Sequence, residues 1–166
     1  YAVSTGGQVT GFGAGSIDAD DNDTISELLK EVEELDQYIS PNKFSGAIVI
    51  DDPLKPEDAL SSIKRDRVNL RFETTIRSRT NSRKTPIIII MQRLHEDDLC
   101  GYLIKKDGIY SEDNPSGWYV LSLPCIQEIG GKEQALWPHK HTLEELDKIR
   151  DANQFVFDTQ YMQNPM

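Results

Sequence analysis

The stretch SGAIVIDDPLKPEDAL, residues 45–60, joins a short apolar run to two adjacent aspartates, a proline and a helix-like start. Residues 46–50 are small, apolar and mostly β-branched, which is typical of a strand buried in a parallel sheet. The run ends at Asp51 and Asp52. Because open α/β sheets bind ligands at the carboxyl ends of their strands, these two carboxylates are the first candidates for a functional site.

A second apolar run, TPIIIIMQ at 85–92, has the same character. The segment 56–79 between the runs opens with a proline and two acids, and apolar residues recur in it at helical spacing: Leu60, Val68, Phe72 and Ile76. A strand, a helix and a second buried strand form a βαβ unit, whose two strands run parallel. The sequence therefore predicts an α/β fold with a mostly parallel sheet and flanking helices.

Further elements follow from the periodicity. An amphipathic helix is predicted over 24–39, and another over 95–106. The run WYVLSLP, 118–124, predicts a strand, and TLEELDKIRDAN, 142–153, predicts a helix with a capping box at Thr142 and Glu145.

Charge is unevenly distributed along the 166 residues, whose net charge is −10. Residues 18–40 carry a net −8, whereas residues 64–84 carry a net +6. The acidity is thus concentrated in one segment, and an anionic partner is not excluded. No apolar run approaches the roughly 18 residues of a membrane span, and the two cysteines lack metal-site spacing, which favours a reduced cytosolic setting.

The paired carboxylates match the arrangement at the end of a Walker B strand. One carboxylate would hold a hydrated Mg²⁺ while the other faces a water in line with a phosphoryl group, and the cation would remove their repulsion. Gln92, at the end of the second strand, would orient the γ-phosphate. Two plainer interpretations stay open: Asp52 and Pro53 cap a turn, and Gln92 is merely the first exposed residue after a strand.

Several blocks, in this order, resemble the large terminase subunit of tailed bacteriophages and prophages. They are TGFGAG (10–15), AIVIDDPLKPEDALSS (47–62), IIIIMQRLHEDDLCGYLI (87–104), WYVLSLP, ALWP (135–138), LEEL (143–146) and YMQNP (161–165). The resemblance implies a P-loop ATPase fold of the ASCE type. It also implies an ATP-hydrolysing motor that packages double-stranded DNA into a procapsid.

The resemblance assigns roles position by position. Asp51 would be the Walker B metal aspartate, Asp52 the catalytic carboxylate, Gln92 the motif III or coupling residue, and Arg93 a nucleotide contact beside it. The implied cofactors are ATP and Mg²⁺. The implied partners are double-stranded DNA, the portal protein, the small terminase subunit and further copies of the chain on the portal, in the host cytoplasm rather than in a membrane or the mature virion.

Two departures limit the resemblance. No G-x-x-x-x-G-K-[ST] segment occurs, since Gly6 and Gly11 have the glycine spacing but Phe12 follows instead of lysine. These 166 residues also contain no nuclease domain after YMQNP, where the resemblance would place its start. We therefore expect residues 1–166 to be part of a terminase ATPase domain, with an acidic helical insertion at 16–45, and to be inactive alone. The alternatives are a metal-dependent nuclease built on Asp51, Asp52 and other acids, and an inactive prophage remnant or interaction module.

Overall fold

The computed structural model describes residues 46–82 and 84–165, which fall into two compact units. The sheet unit comprises residues 46–51, 71–82 and 84–90, and the hairpin unit comprises residues 52–70 and 91–165. The predicted helix at 24–39 and the acidic insertion at 16–45 lie outside the described residues. Within them the chain is mixed α/β, as the sequence predicts.

Two parallel strands form the sheet unit's sheet. Strand β1 spans Ile48–Asp51 and strand β2 spans Ile87–Ile90, with Ile48 opposite Ile87 and Asp51 opposite Ile90. The parallel pairing confirms the prediction, but the prediction of strands buried on both faces is wrong, because Val49 is 58% exposed. Side chains alternate between the two faces of a strand, and the described residues cover only one face of this pair.

The segment between the strands is helical but not one continuous helix. It contains a 3₁₀ turn at Pro56–Asp58, helix α1 at Ser62–Arg71, a π-helix at Phe72–Ile76 and a second 3₁₀ turn at Arg77–Arg79. Leu60 was predicted on the buried row, and that prediction is wrong: it lies between the first turn and α1 and is 73% exposed. Phe72, on the same predicted row, is fully buried.

Helices and one hairpin form the rest of the hairpin unit. Helix α2 spans Leu99–Asp107 and helix α3 spans Leu143–Ala152, where the predicted capping box of Thr142 and Glu145 is confirmed. Strands β3 (Ile126–Ile129) and β4 (Lys132–Ala135) pair antiparallel. A helical turn at Gln154–Val156 and a π-helix at Phe157–Tyr161 follow α3.

A hydrophobic core holds the hairpin against the last helices. Ile126, Leu146 and Phe157 are buried together, and Ile149 and Met162 pack against them. The backbone N–H of Cys125 donates to the carbonyl of Tyr161 at 2.8 Å. The hairpin is therefore fixed both by apolar burial and by a main-chain bond to the C-terminal segment.

The predicted strand WYVLSLP does not form. Only Trp118 makes a bridge, to Ile109, and Leu121 is 82% exposed. A strand needs a neighbour to accept its main-chain hydrogen bonds, and the described residues provide none beside 119–123. The observed hairpin was missed although Gly130 and Gly131, both at positive φ, are the Gly-Gly pair that typifies a tight hairpin turn.

No helix among the described residues has the length and apolar character that crossing a membrane requires.

Candidate functional site

Asp51 lies at the edge of the sheet unit where both strands end. It is the last residue of β1, lies opposite Ile90 of β2, and is exposed. The two parallel strands thus reach their carboxyl ends together, at the kind of edge where α/β sheets bind ligands. The structure supplies this position on the strand, and metal binding by the carboxylate stays a prediction.

Asp52 has an unusual backbone conformation. Its φ of +40° lies in the left-handed region, which L residues seldom adopt and aspartate tolerates better than most. Its side chain is exposed, whereas the next two residues, Pro53 and Leu54, are buried. Non-glycine residues in this conformation concentrate at functional sites, which favours a functional role for Asp52. Among the described residues no backbone N–H donates to its carboxylate, so the turn-capping interpretation gains no support.

Gln92 is exposed in the loop that leaves β2. We call residues 91–98 the post-β2 loop; it belongs to the hairpin unit. Within the described part of the chain the Gln92 amide makes no hydrogen bond, and none joins it to Asp52. Its side chain is open to a ligand, and its role as a phosphate sensor stays a prediction.

Arg93, predicted beside Gln92 as a nucleotide contact, forms an ion pair inside its own loop. Its Nε lies 3.1 Å from both Oδ1 and Oδ2 of Asp98. The Asp98 side chain is fully buried, whereas that of Arg93 keeps 22% of its surface exposed. A buried carboxylate needs such a partner, because an unpaired charge away from water is strongly unfavourable. This contact gives Arg93 a structural role.

Asp98 also accepts main-chain hydrogen bonds from both sides. Leu94 N–H donates to it at 3.0 Å, and Gly101 N–H donates at 2.9 Å as part of the N-cap of α2. Charge-assisted bonds of this kind are about twice as strong as neutral ones. One carboxylate therefore ties the post-β2 loop to the first turn of α2.

Close backbone packing explains the glycine at position 101. A Cβ there would lie 1.9 Å from the carbonyl oxygen of Glu96 and 3.0 Å from Nη2 of Arg93. Both neighbours belong to the post-β2 loop, so a side chain would push the loop off the helix. The loop and α2 can meet only because residue 101 has no Cβ.

Helix α1 supports the loop from another side. Leu94 is buried with Leu54 and Ala59, and Val68 of α1 packs against this cluster. Asn69 Nδ2 of the same helix donates to the carbonyl of Asp97 at 3.3 Å. Apolar burial and a hydrogen bond thus hold the loop on α1.

The C-terminal segment contacts the loop directly. The backbone N–H of Arg93 donates to Oε1 of Gln163, a residue 70 positions away, at 3.2 Å. Gln163 Nε2 donates to the carbonyl of Gln160 at 3.0 Å. The two bonds fix the amide orientation, because a carbonyl can pair only with the amide nitrogen and an N–H only with the amide oxygen.

Burial and ion pairing shift the pKa values of ionisable groups around the loop. Burial, reinforced by the nearby Asp98 charge, raises the pKa of the Cys100 thiol to about 11. A hydrogen bond from Lys105, at 2.5 Å, lowers the pKa of Asp97 on the exposed rim of the loop. Cys100 is therefore a protonated, packed thiol rather than a nucleophile.

Among residues 46–82 and 84–165, no three His, Cys, Asp or Glu side chains gather as a metal site. A two-metal nuclease site would require such a cluster of ligands. A nucleotide-bound Mg²⁺ is different, since one or two protein carboxylates, water and phosphate oxygens complete its shell. Asp51 alone could serve as that protein ligand.

Asp98 and Gln163 were missed as functional candidates from the sequence. Asp98 stands directly before the apolar start of α2, the pattern of an N-cap, yet the helix was predicted to begin at residue 95, four residues before its observed start at Leu99. Gln163 carries no comparable local signal. Its partner is 70 residues away, and only the folded chain brings the two together.

Comparison of the chain with protein-family models, curated proteins and solved structures finds no match.

Proposed function

We propose that this chain is part of an ATP-driven motor of the large terminase class, which moves double-stranded DNA into a procapsid in the host cytoplasm. Asp51 would bind Mg²⁺, Asp52 would polarise the attacking water, and Gln92 would contact the γ-phosphate. The fold would be the corresponding part of a P-loop ATPase. Its partners would be DNA, the portal protein, the small terminase subunit and other copies of the chain assembled on the portal.

One observation supports this proposal more than any other. The strands pair in parallel, in a register that sets Asp51 opposite the last residue of β2. An antiparallel pair would have sent the residues after the two strands to opposite edges. The exposure of Asp51, Asp52 and Gln92 adds support, because each side chain is open to a ligand.

The electrostatics of the site suit a magnesium nucleotide. Two exposed carboxylates in sequence attract a divalent cation and repel a bare triphosphate, so the nucleotide would enter with its metal bound. Mg²⁺ would then stabilise charge on the transferred phosphoryl group when present. The lysine that a Walker A loop supplies has no counterpart in these 166 residues, and we propose that another segment of a longer polypeptide provides it.

The experiment is ATP turnover by the full-length polypeptide carrying Asp52→Asn. The substitution keeps size and the capacity for a left-handed backbone, but it removes the charge that polarises water. We expect turnover to fall by about 100-fold or more. Glu57→Gln is the matched control, because Glu57 is an exposed carboxylate of the nearby 3₁₀ turn. Wild-type turnover by Asp52→Asn would overturn the assignment.

The 166-residue chain by itself provides a second test. Without a phosphate-binding lysine we expect no ATP turnover above background with Mg²⁺. Sustained Mg²⁺-dependent turnover that is lost in Asp52→Asn would contradict the proposed division of the site between this chain and another segment.

A further inference from the structure

Gln163 makes one of the few described contacts that fix the main chain next to Gln92. Its Oε1 accepts from the backbone N–H of Arg93 at 3.2 Å. That N–H belongs to the peptide plane that also contains the carbonyl of Gln92. The same plane contains the Cα of Gln92, so fixing it holds the backbone atom from which the Gln92 side chain starts.

The geometry of Gln163 is specialised for this contact. Its φ is +58°, a left-handed conformation that is unfavourable for a residue with a Cβ. The carbonyl of Gln160 accepts from the side-chain amide of Gln163 and so fixes it. The backbone N–H of Asn164 donates to the carbonyl of Asp158 at 2.9 Å. The π-helix Phe157–Tyr161 ends two residues before Gln163, and π-helical turns are frequent at functional positions.

We propose that Gln163 is the positioning residue for Gln92: it holds the post-β2 loop so that the Gln92 side chain starts from one fixed place. The inference depends on the proposed function for its catalytic meaning, whereas the contact itself can be tested without nucleotide. Asp98 fixes Arg93 through its side chain, and Gln163 fixes it through its main chain. The two supports are independent, so removing Gln163 leaves the ion pair in place.

Amide hydrogen exchange of Arg93 in the 166-residue chain tests the contact. Gln163→Gly removes the acceptor and suits the left-handed backbone, so the fold is retained. Gln163→Asn keeps the amide and the tolerance of positive φ but is one methylene too short. We expect the exchange rate of the Arg93 amide to rise about fivefold to tenfold in both variants. Asn164→Ala, an exposed neighbour, should leave it within about twofold of wild type.

If the exchange rate of the Arg93 amide stays within about twofold of wild type in both Gln163 variants, the proposed contact is wrong. An equal rise in Asn164→Ala would also overturn it, because the effect would then be general loosening of the C-terminal segment.

ATP turnover by the full-length polypeptide tests the positioning role. We expect Gln163→Asn to lower kcat by about tenfold or more while KM for ATP stays within about twofold, since a misplaced Gln92 affects the reaction rather than binding. Combined with Gln92→Ala, it should cause no further loss. A normal kcat in Gln163→Asn, beside an inactive Asp52→Asn, overturns the positioning role alone. A normal kcat in Asp52→Asn instead refutes the proposed function.

Discussion

The residues after β1 and the residues after β2 are held in different ways. Asp51 and Asp52 are exposed, and among the described residues their carboxylates make no hydrogen bond or ion pair. The post-β2 loop is fixed by Asp98, by Gln163 and by the apolar contacts of Leu94. The first region thus offers charge without protein partners, and the second offers a supported backbone that presents one exposed amide.

This difference suits a division of work between the two turns. An ion-pair partner of a metal-binding carboxylate would compete with the cation, so carboxylates without one are open to a metal. A residue that senses a phosphate must instead be held in a defined place, since misplacement by about 1 Å can cost 100-fold in rate. Unequal support of the two turns agrees with the proposed ATPase chemistry.

The largest expected effect comes from removing the support of the post-β2 loop. Asp98→Ala would leave the Arg93 guanidinium and the N–H groups of Leu94 and Gly101 without their acceptor. Loss of one partner of a buried pair typically costs about 3 kcal/mol or more of unfolding free energy. Urea unfolding followed by circular dichroism measures this loss.

Asp97→Ala is the matched control for that experiment. Its carboxylate pairs with Lys105 at the exposed rim, so we expect an unfolding midpoint close to that of the wild type. If Asp98→Ala were no more destabilised than Asp97→Ala, the central role given to Asp98 would be wrong.

Gly101→Ala should cause a smaller loss of unfolding free energy. The new Cβ would lie 1.9 Å from the carbonyl oxygen of Glu96, and overpacking of this kind costs about 1–3 kcal/mol. Gly130→Ala is the comparison, because nothing lies within 4 Å of its Cβ and only its positive φ opposes the substitution. The melting temperature of Gly101→Ala should be lower than that of Gly130→Ala. The reverse order would contradict the proposed packing of the loop on α2.

A substitution in the turn after β1 should instead raise the unfolding free energy. Asp52→Gly removes the unfavourable left-handed conformation of a residue with a Cβ, and we expect a gain of about 0.5 kcal/mol in unfolding free energy. If the proposed function is right, the same variant of the full-length polypeptide will not hydrolyse ATP. A clear destabilisation of the 166-residue chain would show that the Asp52 side chain supports the fold instead of a ligand.

The smallest expected effect is on the reactivity of the Cys100 thiol. Its pKa of about 11 reflects burial first and the Asp98 charge second. A thiol with that pKa has about 0.1% thiolate at pH 8, so iodoacetamide should label it slowly. Because its folded pKa exceeds the reference value of 9.0, its contribution to stability is present below pH 9 and falls as the pH rises towards 11. Peptide mass spectrometry measures the labelling, which should be faster in Asp98→Ala. Rapid labelling of the wild-type thiol would contradict the packing around α2.

The sequence predicted the parts of the fold that local patterns determine. Two apolar runs separated by a helical segment predicted the parallel pair, and Thr142 with Glu145 predicted a helix start. The same reasoning failed for 118–124, because β-branched and aromatic residues favour a strand but cannot supply the neighbouring strand it needs. It also failed for Leu60, since its position depends on where α1 begins rather than on spacing.

For the candidate site, the sequence predicted the exposed residues but not their supports. Asp51, Asp52 and Gln92 follow apolar runs, so their position at strand ends could be predicted from neighbours in sequence. The contacts of Arg93 with Asp98 and Gln163 depend on the path of the loop and on a residue 70 positions away. Such contacts leave no periodic pattern, and only the folded chain reveals them.

One measurement tests the central claim that Asp51, Asp52 and Gln92 serve a single metal nucleotide. Mn²⁺ replaces Mg²⁺ in ATP complexes, and its unpaired electrons broaden the NMR signals of nearby amides. With Mn²⁺ and ATP bound to the full-length polypeptide, we expect broadening at both 51–53 and 91–93, absent with Mg²⁺ and lost in Asp51→Ala. Broadening at neither segment, or at only one of them, would contradict it.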